Sequence, residues 1–207
     1  MIKKRKSVTP LMWEIFDFFP KIVTKNKGQL GDLLDTINAY MVYGREEFSQ
    51  RESSIRIYAC IVEQAMFTKK ILSDCEGAVA CQLLFQSLAG TQSLNPFMEG
   101  LLDLTSRRMK DDPLPIELKK HLIGIFMASM YYSAPPTLQY LENHGMTSGL
   151  VEEMCNLCTK FSAEYEKRFF IIGLSRMLQS PTLPASLQPQ LIRLLTALVE
   201  TITSLHE

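Results

Sequence analysis

Apolar residues recur at intervals of three and four along almost the whole chain, the spacing of helices that each bury one stripe, and no stretch sustains the alternation of a strand. Met12, Phe16, Phe19 and Val23 form the first stripe, and Leu30, Leu33, Leu34, Ile37 and Met41 the second. Tyr58, Ile61, Val62 and Ala65 follow, then Val79, Leu83, Leu84 and Leu88, then Leu94, Met98, Leu101, Leu102 and Thr105. Leu118, Leu122, Ile125 and Phe126 make a sixth. The segment "APPTLQYL" starts a short helix with proline in its first turn. The last three stripes are Val151, Met154, Cys158 and Phe161; Phe170, Leu174 and Met177; and Leu191, Leu194, Leu195, Leu198, Ile202 and Leu205. About ten helices are expected.

The punctuation between stripes suggests how these helices pair. Gly28, Gly44, Gly90, Asp111-Asp112-Pro113, Ala134-Pro135-Pro136, Gly145 and Pro181-Thr182-Leu183-Pro184 leave connections short enough for antiparallel neighbours. Hairpins then begin near residues 9, 52, 94, 135 and 165, a period close to the roughly 40 residues of HEAT and armadillo units. The expected fold class is all-α, an α-solenoid of about five HEAT-like helical hairpins, although a compact bundle would share much of this pattern. At the usual helix spacing five stacked hairpins make a slab roughly 50 Å long, a surface rather than a pocket.

The segment "EYEKRFFIIGLSRMLQS", Glu164 to Ser180, fits this scheme. A helix packed on both its partner and a neighbouring repeat tolerates a run such as Phe169-Phe170-Ile171-Ile172, while Glu164, Glu166, Lys167 and Arg168 in its first turn stay wet. Its acidic residues complement the helix N-terminus. Gly173 in mid-helix costs about 1 kcal/mol relative to alanine, which points to a helix approaching closely there.

With 207 residues, 46% of them hydrophobic, the chain is expected to bury a sizeable core. No linker-like stretch divides it, so residues 8–207 are read as one repeat array behind a flexible basic overhang, residues 1–7. Zero formal net charge argues against a nucleic-acid partner. The one basic run, Lys3-Lys4-Arg5-Lys6, is read as solvated overhang rather than as a nuclear import signal. The densest apolar run, Leu122 to Met130, is half the roughly 18 residues of a membrane span, so no membrane insertion is expected. Glu14 and Asp17 break the apolar segment that a signal peptide would need.

Cys60, Cys75, Cys81, Cys155 and Cys158 are odd in number and lie in helical patterns, which suits small core residues in a reducing compartment. Cys155 and Cys158 have the spacing of half a zinc site, but a second CxxC and an HxxxH are both missing, so no metal and no cofactor are expected. His121, His144 and His206 are scattered, and neither HExxH nor GxSxG occurs. Asp111 and Asp112 lack a partner base. The chain is expected not to be an enzyme.

Three segments carry a resemblance. "Lys167-Arg168-Phe169-Phe170-Ile171-Ile172-Gly173-Leu174" looks like a segment in the last repeats of the importin-β (karyopherin-β) superfamily. "VTPLMWEIFDFF" from Val8 is similar to the Ser-Pro-x-Met-Trp opening of a C-terminal repeat in the importin seven/eight branch. "ELKKHLIGIFMASMYYSAPPTLQYLE" resembles that branch's helix ending in Ala-Leu-Tyr-Tyr-Asn-Pro, with Ser133-Ala134-Pro135 in place of Asn-Pro. The resemblance runs from about Val8 to the end. It implies the C-terminal HEAT-repeat portion of a nuclear import receptor that shuttles between cytoplasm and nucleus with protein cargo such as ribosomal proteins or histones. Phe-Gly nucleoporins and the GTP form of Ran are partners of the full-length family, whose N-terminal Ran-contacting repeats have no counterpart in this chain. In the family's orientation the second helix of each hairpin faces cargo, which makes Asp32, Asp35, Glu152 and Glu153 candidate contacts for basic proteins. Phe85, Phe97 and Met98 are either core or slots for Phe-Gly peptides. The alternatives are a helical scaffold in another complex and a small helical enzyme.

Overall fold

Among the described residues twelve α-helices, joined in places by 3₁₀ turns, make up the regular structure, and no strand occurs. The computed structural model describes residues 2–25, 30–111 and 113–205, without the side chains of residues 24, 25, 30 and 32. Gly28, Asp112 and His206, and the side chains of Leu30 and Asp32, therefore lie outside the described residues. The chain is all-α and divides into two compact units, one up to His121 and the other from Leu122 on.

The first unit contains α1 (Ile2–Arg5), α2 (Pro10–Phe16), α3 (Phe19–Lys25), α4 (Leu30–Tyr43), α5 (Arg45–Gln50), α6 (Glu52–Met66), α7 (Ile71–Ser87) and α8 (Met98–Met109). Its core is aromatic. Trp13, Phe16, Phe48 and Tyr58 are fully buried, and Phe16 lies 5.1 Å from Tyr40 and 5.9 Å from Phe48, ring centre to ring centre. Tyr40 donates its hydroxyl to the Met12 carbonyl at 2.9 Å, which ties α4 to α2. Two helices replace the single first stripe because the chain turns at Asp17 and Phe18.

The hairpin of α6 and α7 is antiparallel. Tyr58 donates to the Ala80 carbonyl at 3.0 Å, while at the other end Thr68 donates to Asp74 through both its backbone N–H (3.0 Å) and its hydroxyl (2.7 Å). Close approach depends on Gly77, where a Cβ would fall 2.8 Å from the Met66 backbone nitrogen and 2.9 Å from the Ala65 Cβ. Val79, expected in the stripe of α7, is exposed instead. The helix buries Gly77, Ala78, Ala80 and Cys81 because small residues permit contact that a hydropathy pattern does not register. At the start of α7 the buried Asp74 carboxylate meets Arg108 of α8 at 2.8 Å, and that guanidinium also donates to the Met66 carbonyl and to Asp111, each at 3.0 Å. The adjacent turn residue Lys69 sits at φ +63°, a left-handed conformation.

The long α9 (Ile116–Asn143) contributes its first turns to the first unit and the rest to the second. Ser133 is extended (φ −161°, ψ 105°), so Pro135 and Pro136 fall in the first turn of a new helical segment, as the sequence predicts. The second unit adds α10 (Thr147–Leu157), α11 (Glu164–Leu178) and α12 (Leu191–Thr203). Gly173 of α11 meets α9 as its mid-helix position suggested: a Cβ there would lie 2.7 Å from the Cβ of Met127 and 2.9 Å from its Cα. Glu166 accepts from the N–H groups of Ser162 and Ala163 at 3.2 Å and so caps α11. Lys167 is not simply wet: its ammonium donates to the Ser204 carbonyl at 2.6 Å, at the C-terminal end of α12, where a cation is favoured.

Candidate protein-binding surfaces

Asp35 is exposed on α4 while Leu34 and Ile37 on the same helix are buried, so its carboxylate projects away from the core. The Lys3 ammonium of α1 meets it at 2.5 Å. Both groups line a cavity of about 370 Å³, walled mainly by Ile2, Met12, Ile15, Ala39 and Tyr40. The cavity is apolar with one ion pair at its edge, and Ile2 of the basic N-terminal segment is buried beside it. Asp32 also lies on α4, with its side chain outside the described residues. In the second unit Glu152 is exposed on α10 and its neighbour Glu153 is half-buried, beside the buried Val151 and Met154. Phe85 and Met98 are buried core, and Phe97 is half-buried with the Arg56 guanidinium 5.9 Å from its ring centre.

Burial disfavours the thiolate at four of the five cysteines. Cys81 is fully buried, and burial pushes its pKa up to about 12. Burial also raises Cys75, Cys155 and Cys158, the last with the Glu200 carboxylate as a further cause. Cys158 donates to its own helix, to the Cys155 carbonyl at 3.1 Å. Cys60 departs from the core expectation and is exposed. Among the described residues no three histidine, cysteine or carboxylate side chains gather where a metal could bind.

One candidate docking surface is apolar, and the stripe pattern alone did not single it out. On α2, α3 and the turn between them, Leu11, Ile15, Phe18 and Ile22 are exposed. Each directly precedes a buried residue of the first stripe, Met12, Phe16, Phe19 or Val23. This doubling is visible in the sequence as apolar pairs, and it gives the segment two apolar faces, of which the unit covers one. The Lys21 ammonium, 5.5 Å from the Phe18 ring centre, shields part of the other.

A second uncovered face lies on α12. Leu194, Ala197 and Thr201 are buried, while Ile192 (79% exposed), Leu195 (51%), Val199 (61%) and Ile202 (41%) are not. Leu195 and Ile202, expected in the core stripe, thus face solvent. At 100° per residue the exposed four centre roughly 150° around the helix from the buried three. The signal was present in the sequence, since the apolar arc of α12 is wider than a single packing seam.

Among the described residues no helix is long and apolar enough to cross a membrane. Comparison with known protein families, curated proteins and solved structures finds no match.

Proposed function

We propose that this chain is a non-catalytic, protein-docking array of helical hairpins, the C-terminal HEAT-repeat portion of a nuclear import receptor that contributes to cargo binding in Ran-dependent transport. The observation that carries the docking part is the uncovered stripe Leu11, Ile15, Phe18 and Ile22. An internal layer of a stacked array needs a second apolar face on its helices, because a neighbouring hairpin packs there, whereas a terminal layer carries a polar one. The transport part is supported by three family-like segments in family order. Two of them meet in the second unit: Gly173 lies against Met127, and the Phe169 ring centre is 6.3 Å from that of Tyr131.

Binding of full-length chain to core histones and ribosomal proteins, with and without GTP-loaded Ran, tests this reading. Retention of basic proteins is expected at low salt, with about a tenfold loss for Glu152→Lys, which reverses the charge of an exposed residue. If neither basic proteins nor Phe-Gly peptides are retained, the import reading fails. A helical scaffold in another complex is the second reading. The Lys3–Asp35 ion pair favours it, since it occupies one of the carboxylates that basic cargo would use.

A further inference from the structure

We propose that α12 is the two-fold contact of a homodimer, pairing antiparallel with α12 of a second copy through Ile192, Leu195, Val199 and Ile202. This inference stands on α12 alone and does not depend on the transport reading.

The four residues are spaced three, four and three apart, an order that reads the same from either end of the helix. An antiparallel copy therefore sets Ile192 against Ile202 of the second copy and Leu195 against Val199, each pair formed twice about the axis. The stripe is its own complement, as a two-fold contact requires. Charge is compatible with self-pairing. Arg193 and Glu200, the charged residues of α12, lie roughly 130° around the helix from the centre of the stripe, so α12 itself brings no like charges face to face. Thr196 and Thr203 border the stripe on one side and the half-buried Leu198 on the other.

Area decides that a copy is sufficient. The exposed portions of the four residues amount to roughly 400 Å² of apolar surface, the size of the largest patch on an ordinary monomer. With the bordering threonines and leucines, two copies would bury about 1,000–1,200 Å² in total, at the lower end of specific interfaces. A reversible dimer is the expected state.

Sedimentation of the full chain across about 1–100 µM tests the proposal. The expected result is a rise from the 23.6 kDa monomer toward twice that mass with concentration. Leu195→Lys and Val199→Glu should each weaken association at least about a hundredfold, because each places a charge against an apolar partner twice. Both sites are more than half exposed, so helicity by circular dichroism should be unchanged. Equimolar mixing of the two variants should restore a salt-sensitive dimer, since the ammonium introduced by Leu195→Lys on one chain then faces the carboxylate introduced by Val199→Glu on the other. A monomer at every concentration overturns the proposal, as does a dimer indifferent to both substitutions. Failure of the mixture to associate overturns the antiparallel register. Loss of the dimer on Phe18→Asp would instead assign the α12 face to the stripe on α2 and α3 in a head-to-tail contact, and would likewise overturn the proposal.

Discussion

Two helices of the chain, α7 and α12, bury different shares of their apolar residues. On α7 a carboxylate, Asp74, is buried, together with a glycine, two alanines and a cysteine, while Val79 lies in solvent. On α12 only Leu194, Ala197 and Thr201 are buried, and Ile192 is largely exposed. Both helices are rich in apolar residues, so mean hydropathy does not separate them. Their neighbours do: α7 is packed by α6 and α4, whereas α12 rests on α10, α11 and the 3₁₀ turns Cys158–Lys160 and Ala185–Gln190 with one arc only. Burial follows from how much of a helix's circumference its neighbours cover and how closely they approach, not from their number, and small residues set that closeness. Asp74 is tolerated inside because Arg108 and Thr68 satisfy it, while breaking such a pair would leave an uncompensated buried charge.

The comparison breaks most readily at Gly77. A valine there must displace the α6 backbone at Ala65 and Met66, since the atoms a Cβ would meet include main chain rather than a flexible side-chain tip. The expected cost is about 3 kcal/mol despite valine's better helix propensity, read as a lower urea midpoint with unchanged slope. A neutral result would mean that α6 and α7 are not packed as tightly as their backbones suggest.

A smaller effect appears with pH. Burial raises the Cys81 pKa to about 12, above its value of roughly 8.5 in an unfolded chain. Between those two values the unfolded state gives up the proton and the native state keeps it. The contribution is therefore intact below roughly pH 8.5 and is lost as pH rises towards the folded value, by up to about 1.4 kcal/mol for each pH unit. Urea titrations from pH 8 to 10.5 should show that decline in the native chain and a shallower one in Cys81→Ala. An identical slope would locate the alkaline loss at the other raised groups, Tyr58 among them.

What the sequence made legible divides along the same line. Where a helix carries a single apolar face, spacing and punctuation suffice: Leu94, Met98, Leu101, Leu102 and Thr105 are all buried as read, and the Ser133 break precedes its prolines as expected. Gly173 against Met127 was legible too, because a mid-helix glycine has few other reasons to be there. The Val79 position was lost because alanine and cysteine weigh little in a hydropathy pattern yet decide the closest approach. The apolar pairs of α2 and α3 and the wide apolar arc of α12 are visible in the sequence, but which part of them stays uncovered is not, because apolar residues look alike whether their partner is in the same unit or elsewhere. Asp35 read as a solvent-facing carboxylate from its register, but its pairing with Lys3, 32 residues away, depends on tertiary placement that periodicity does not encode.

The smallest expected effect gives the sharpest contrast between the two helices. Val199 is more than half exposed on α12, so replacing it with alanine removes little buried area and gains several tenths of a kcal/mol in helix propensity. At protein concentrations near 1 µM, where a weak dimer has dissociated, Val199→Ala should leave stability within about 0.5 kcal/mol of the native chain, because the propensity gain and the lost contact nearly cancel. At 100 µM the same substitution should cost association, because each missing pair of methyl groups is lost twice about the two-fold axis. A residue whose truncation is silent in the monomer and visible only at high concentration is one retained for a neighbour outside its own unit. Were Val199→Ala instead to destabilise the dilute chain by about 2 kcal/mol or more, the order expected for truncating a buried side chain, then α12 would be covered in solution as fully as α7, and the distinction between the two helices would disappear.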